Sequence, residues 1–301
     1  MDGLLVIDKP SGPTSHDVVA RMRRVLGEPR IGHTGTLDPL ATGVLPLVVG
    51  RATRLARFLS GSDKAYDAVV RLGFATDSGD CQGSPVGLPY TGPMPTRTVI
   101  ADALDAFRGQ FLQTPPVFSA KKIGGQRSYE LFRGRSRDGV DSVPTPSPLR
   151  PQKVTVARLS LLDLDGDRVS LTLDCSAGFY VRALAHDLGA RLGTGGHLVA
   201  LRRTRVGALT LDHAIPLADA ERDPAATAAR LVPMSRMLTD LPALTLDADA
   251  IVRTRQGRDL PGIAGAASGF VRLVDDAGDL VAIAEPSQGA AGFLHPSVVL
   301  R

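Results

Sequence analysis

Apolar and polar positions change their period several times along this chain, and the changes mark its elements. The run LLVID at 4–8 is apolar up to its final acid and ends in KPSGPTS, which predicts a strand leaving into a turn. Thr14, Ser15 or Asp17 then stands where a helix cap is needed, and the helix runs to about Leu26. VLPLVV at 44–49 predicts another strand, RATRLARFLSGSDKAY places apolar residues at helical spacing before a Gly-Ser stop, and YDAVVRLG returns to a strand pattern. Residues 97–109 predict an amphipathic helix with Val99, Ile100, Leu104 and Phe107 on one side. KVTVARLSLLDLDGDRVSLTLDCS alternates on both sides of a turn at Asp165 to Asp167, a hairpin pattern, and GFYVRALAHDLGARLG predicts a helix from about Val181 to Leu192 closed by Gly193. Past Arg205 come a short strand and an alanine-rich helix near 223–231, followed from about 240 by a small β-rich unit. Hairpins and helices alternate without a regular βαβ rhythm, so the fold class is mixed α+β.

The periodicity fails in one long stretch, QTPPVFSAKKIGGQRSYELFRGRSRDGVDSVPTPSPLRP, which is rich in Pro, Gly, Ser and basic residues and reads as an insertion at about 115–150. Charge is concentrated there. Nine Lys or Arg stand against three acids between Lys121 and Arg158, whereas the formal charge of the whole chain is only +4. A mild overall excess says little, but a local basic segment points to an anionic partner. The 301 residues suffice for a large core with an appendage. The two cysteines, Cys81 and Cys175, are far apart and have no neighbouring Cys or His at ligand spacing, which argues against a disulfide framework and a zinc site. No apolar run approaches the roughly 20 residues that span a bilayer, and the opening MDGLLVIDKPSG lacks the order of a secretory signal. The expected location is the cytoplasm.

The candidate chemistry centres on GHTGTLDPLATGVL at 32–45. Asp38 is held between Leu37 and Pro39, and proline biases the residue before it toward an extended backbone. Asp38 is therefore either a turn aspartate or a nucleophile or base in a partly dry setting made by Leu37, Leu40, Val44 and Leu45. His33 in the same loop is either a core histidine or a group facing a ligand. In GFYVR, Tyr180 and Arg182 are two apart and fall on the same side of an extended segment. An arginine close to a helix start is opposed by the helix dipole and calls for an acid partner, for which Asp38 is the candidate. Tyr66 in KAY lies at the mouth of a strand as an exposed stacking platform, scarce in a chain with four tyrosines and no tryptophan. There is no GxGxxG, Walker loop, HExxH or GxSxG, and GTGGH at 193–197 lacks the lysine of a phosphate loop and reads as a turn.

Six blocks occur in order: KPSGPTSHDVV at 9–19, GHTGTLDPLATGVLPL at 32–47, KAYDAVVRLG at 64–73, TDSGDCQG at 76–83, PPVFSAKKIGGQRSYE at 115–130 and GFYVRALAHDLG at 178–189. Together they resemble the tRNA pseudouridine synthase B family. The resemblance implies a largely antiparallel, mixed-sheet catalytic domain over 1–239 and a small PUA-like domain over 240–301. It implies isomerisation of the T-loop uridine at tRNA position 55, a tRNA T-arm as partner, no protein partner, and neither cofactor nor metal. By motif position Asp38 is similar to the family's essential aspartate, Tyr66 to its stacking tyrosine and Arg182 to the arginine that pairs with the aspartate. Tyr180 and Leu201 match pocket residues, and His33 matches the histidine near the vacated stack. Lys121 and Arg127 fall in a basic thumb that closes over the T-arm, through phosphate contacts and a base extruded from its stack. Two other readings explain part of the pattern: a catalytically silent chaperone of tRNA folding with the same basic surface, and a metal-free hydrolase using Asp38.

Overall fold

The computed structural model describes residues 1–116, 122–123, 126–127, 150–262 and 269–300, with the backbone alone for 122–123 and 126–127. Its centre is a ten-stranded mixed sheet. The main path runs Ile215–Pro216, Gly3–Lys9, Thr42–Val49, Gly196–Val206, Lys64–Leu72, Arg168–Cys175, Gln152–Asp165 and Gly109–Gln113. Two neighbours on this path are parallel, Gly3–Lys9 with Ile215–Pro216 and Thr42–Val49 with Gly196–Val206, and the other pairings are antiparallel. The sheet is thus mixed and largely antiparallel, as the family resemblance implies.

Helices Ser15–Leu26, Arg97–Leu104 and Val181–Arg191 contribute to the principal core, where Val18, Val19, Met22, Ile100, Leu104, Leu184 and Leu188 meet Leu5, Ile7, Leu45, Leu47, Val70 and Leu171 of the strands. The alternate residues Leu4 and Val48 belong to a second core cluster, and Val6 and Val44 to another. The first and third strands bury both faces, which is why their sequences run continuously apolar instead of alternating. Thr14 is the cap of the first helix: its hydroxyl accepts from the Asp17 amide at 3.1 Å while the Asp17 carboxylate accepts from the Thr14 amide at 2.8 Å. Ser15 is left as the first helical residue, with its hydroxyl turned into the protein.

The chain from 243 onward builds a second, five-stranded sheet in the order Ala243–Thr245, Val271–Val274, Leu280–Pro286, Phe293–Val299, Leu260–Pro261, with helix Ala248–Arg255 beside it. Leu246, Leu260, Val271, Leu273, Val281 and Leu294 form its own core. Val274, Leu280, Ile283, Val298 and Leu300 instead join Leu4, Val48, Ala52 and Leu55 of the first sheet's side in one cluster. Arg57 ties the two units further, lying 5.9 Å from the Phe270 ring centre and donating to the Ser297 hydroxyl at 3.0 Å.

Several expectations need correction. The helix expected over 97–109 ends at Leu104, followed by a 3-10 turn at Asp105–Phe107 and the edge strand Gly109–Gln113. Ile100, Leu104 and Phe107 are buried, but Val99 faces solvent, because the stripe at i, i+4 and i+7 starts at Ile100. RATRLARFLS forms a 3-10 turn at Gly50–Leu55 and a single short helix at Ala56–Ser60. The central strand Gly196–Val206 was not predicted, since Arg202, Arg203 and Arg205 give it the look of a surface segment. Of the insertion, a two-stranded hairpin pairs Lys122–Ile123 with Gln126–Arg127; Lys121 lies outside the described residues, as does the Arg127 side chain.

Candidate active site

Asp38 lies in the loop between strands Ile31–His33 and Thr42–Val49. Its two readings prove compatible. The backbone makes a turn, with the Ala41 amide donating to the Asp38 carbonyl at 3.0 Å, and the side chain, 33% exposed, serves another partner. That partner is Arg182. Its Nε donates to Asp38 Oδ2 at 2.9 Å and its Nη2 to Asp38 Oδ1 at 3.2 Å, a two-point grip that only a planar guanidinium provides. Nη1 donates to the Ser78 carbonyl at 2.9 Å, and Asp80 Oδ2 stands 3.9 Å from Nε. Arg182 and Asp80 are each 7% exposed at the side chain. The Asp80 carboxylate is itself held by the Ser78 hydroxyl at 2.7 Å and the Gln82 amide at 3.0 Å. One buried cation therefore bridges two carboxylates, and only Asp38 reaches toward solvent.

Arg182 occupies the first turn of helix Val181–Arg191 and not an extended segment shared with Tyr180. Tyr180 is the residue before that helix, with an extended backbone. Buried Gln113 clamps it, its side-chain oxygen accepting from the Tyr180 amide at 2.8 Å and its side-chain nitrogen donating to the Tyr180 carbonyl at 3.1 Å. The edge strand thus sets where the helix begins, and so where Arg182 points.

Two buried cations brace the Asp38 loop from beneath. Lys9 Nζ donates to the carbonyls of Pro10, Pro39 and Ala41 at 2.9, 3.3 and 2.7 Å. Burial pushes this ammonium down to about 8, against the pull of the Asp38 charge in the opposite direction. Arg203 donates to the carbonyls of Val44, Thr36 and Gly35 at 2.8, 3.4 and 3.0 Å. Gly43 allows the close approach: at φ 102°, a β-carbon there would fall 2.2 Å from the Arg203 carbonyl oxygen. Ser15 Oγ accepts from the Leu37 amide at 2.8 Å and donates to the Leu37 carbonyl at 3.0 Å.

Tyr66 is not the exposed platform expected from KAY. It is the third residue of Lys64–Leu72, buried in the principal core and paired across the sheet with Leu173 and Arg203. Burial raises its phenol above the ordinary tyrosine value, with Arg203 opposing the shift, so a phenolate is disfavoured in this state. Leu201 is also buried in that core, and its carbonyl accepts from the Thr42 hydroxyl at 3.4 Å. His33 stands edge-to-face with His16, ring centres 5.3 Å apart. The structure therefore brings Asp38 and Arg182 into contact, puts Tyr66 and Leu201 in the same apolar core as Leu37 and Leu40 of the loop, leaves His33 at the end of the strand that leads into it, and anchors Tyr180 at the helix start.

Lys9, Gln113, Asp80 and Arg203 went unassigned in the sequence. A signal existed for Arg203, which is two positions from Leu201 and so in phase with the buried face of its strand. Asp80 sits in the TDSGDCQG block, but nothing local announces an acid that points inward.

Comparison with known proteins places the chain in a family. Residues 23–181 match the TruB family pseudouridylate synthase N-terminal domain, and residues 182–239 match the tRNA pseudouridylate synthase B C-terminal domain. The chain is 44% identical over 309 residues to the tRNA pseudouridine synthase B of Solibacter usitatus, with all of both chains covered. It is 46% identical over 255 residues to that of Nocardia farcinica, covering 84% of this chain and 75% of the other. Among solved structures it is similar to a chain in the crystal structure of a Cbf5-Nop10-Gar1 complex, with a TM-score of 0.74 and 26% identity, over 99% of this chain and 85% of that one. A chain in an H/ACA RNP bound to a substrate RNA containing 2'-deoxyuridine is similar with a TM-score of 0.71 and 25% identity, at the same coverage. The chain belongs to the TruB family of pseudouridylate synthases.

Proposed function

We propose that this chain is a tRNA pseudouridine synthase, an isomerase that converts the T-loop uridine at tRNA position 55 to pseudouridine with Asp38 as the group that acts on the nucleotide. The observation that carries the reading is the two-point Arg182–Asp38 pair at the one partly exposed carboxylate of the site. Each Asp38 oxygen accepts one hydrogen bond from Arg182, and a carboxylate oxygen has two lone pairs, so each keeps one for the substrate. Attack on the sugar C1′, addition to base C6 and removal of the 2′ proton all need one carboxylate in a fixed place, which the Arg182 grip supplies. A uridine in a folded T-loop must be extruded first, at a cost of a few kcal/mol that stacking and polar contacts offset.

The wider assignments follow the same reading. Residues 1–239 form the catalytic domain and 240–301 a PUA-like domain, with the protein acting in the cytoplasm. The insertion at about 115–150 is the thumb over the T-arm, and Lys121 and Arg127 within it neutralise phosphates. Tyr180, Leu201, His33 and Tyr66 shape the pocket. Deleting 122–137 weakens T-arm binding; unchanged affinity removes the thumb assignment.

The test is T-arm RNA carrying tritium at uridine C5. The wild-type chain releases tritium, and Asp38→Asn stops release while RNA affinity is largely kept. Turnover in Asp38→Asn takes the role away from Asp38, and absence of release from the wild type refutes the activity.

A further inference from the structure

We infer that Ser15 is a positioning residue for Asp38, a role that rests on the function proposed above. Ser15 is 1% exposed and opens helix Ser15–Leu26 directly after its cap. Serine near a helix start ordinarily serves the helix's own free amides. Here Thr14 and Asp17 cap each other, and the Ser15 hydroxyl crosses 22 positions of sequence to the residue before Asp38. It accepts from the Leu37 amide at 2.8 Å and donates to the Leu37 carbonyl at 3.0 Å.

Those two atoms belong to different peptide planes, one on each side of the Leu37 α-carbon. Because each plane is rigid and only two soft dihedrals join them, a single hydroxyl that holds both sets φ and ψ of Leu37. The plane carrying the Leu37 carbonyl also carries the Asp38 nitrogen, so the direction in which Asp38 leaves the chain is set from its N-terminal side by Ser15. The C-terminal side has its own supports, the Ala41 turn bond and Lys9 on the carbonyls of Pro39 and Ala41. The helix itself needs no help from Ser15, since Val18, Val19 and Met22 seat it in the principal core. Alanine at 15 leaves both polar atoms of Leu37, whose side chain is also buried, without their partner. The loop then relaxes, and a shift of about 1 Å in a reacting group is enough to cost on the order of a hundredfold in rate.

The experiment compares wild type, Ser15→Ala and Val19→Ala, the last thinning the same helix's packing in the shared core while keeping both Ser15 hydrogen bonds to Leu37. Tritium release gives kcat and KM, and amide hydrogen exchange reports on Leu37. Ser15→Ala speeds exchange of the Leu37 amide and lowers kcat about tenfold or more while KM stays within about twofold, the signature of lost positioning and not of lost binding. Val19→Ala lowers the melting temperature but keeps both kcat and the Leu37 protection. A wild-type kcat in Ser15→Ala overturns the proposal, as does a fall in kcat equal to that of Val19→Ala at matched stability, or a Leu37 amide as protected as before. A wild-type chain that releases no tritium refutes the proposed function instead, and the exchange arm still reads whether Ser15 holds Leu37.

Discussion

Replacing Arg182 by lysine keeps the charge and removes the geometry. The guanidinium makes two bonds to Asp38 and one to the Ser78 carbonyl, and also faces Asp80 at 3.9 Å. An ammonium on a shorter reach cannot meet the two Asp38 oxygens in parallel, so at least one charge-assisted bond goes, worth about 1.5–3 kcal/mol. If that bond orients the carboxylate in the transition state, kcat falls roughly tenfold to a hundredfold, since about 1.4 kcal/mol is a factor of ten. Arg182→Met goes further and strands Asp80, which is 7% exposed, beside no cation; an uncompensated buried charge costs about 3–5 kcal/mol of stability. Adding Asp80→Asn to Arg182→Met removes that charge and recovers much of the loss, so the two changes are not additive. Single-turnover tritium release with saturating T-arm RNA measures the first effect, and denaturant unfolding of the two single variants and the double variant measures the second. Wild-type turnover in Arg182→Lys, or additive stability losses in the cycle, refutes the picture of one cation shared between two acids.

Gly43→Ala forces a β-carbon against the Arg203 backbone in a left-handed conformation, and overpacking with backbone strain costs about 3 kcal/mol, or a melting temperature lower by roughly 6–12 °C in a thermal scan. Lys9 loses its proton near 8 in the folded chain, below the ordinary lysine value, so between about pH 8 and 10 the unfolded chain holds more protons and this group makes stability rise with pH. The denaturation midpoint of wild type therefore climbs relative to Lys9→Met across that window; parallel curves contradict the buried ammonium. Burial pushes the Cys175 thiol up to about 12 while Cys81 is exposed, so a thiol reagent near neutral pH labels one cysteine of the native protein and the second only after unfolding.

Much of the frame was legible because it is carried by local rules. The first helix announces itself in Thr14 and Asp17, and the Asp165–Asp167 turn in the alternation on both sides of it. The Asp38 to Arg182 contact was legible for a different reason: an arginine in a first helical turn needs an acid, and the loop offered one. What escaped notice depends on long-range pairing. Arginines are normal on surfaces, so LRRTRV did not suggest a central strand, yet Arg203 is buried because carbonyls of Gly35 and Thr36 in a loop and of Val44 in the strand after it, some 160 residues away, converge on it. Lys9, Gln113 and Asp80 are of the same kind, polar side chains whose partners are backbone atoms or charges supplied by other elements. Tyr66 was placed on the correct strand but on the wrong side of the exposure question, since period alone does not say which face is covered.

Leu4 and Leu300 lie in the same apolar cluster, with Val48 from the first sheet, Leu55 from the 3-10 turn after it, and Ile283 and Val298 from the second sheet packed alongside. During synthesis the opening strand can pair early with Thr42–Val49, and Ala52, Leu55 and Met237 reach the face that carries Leu4 next, but that face is covered in full only when Val274 to Leu300 have emerged. Contacts of such long sequence separation close late, and apolar surface left waiting is prone to misassociation. Shortening the chain ahead of Ala243 would thus uncover a patch on the part that holds Asp38, making solubility, before activity, the first property to suffer.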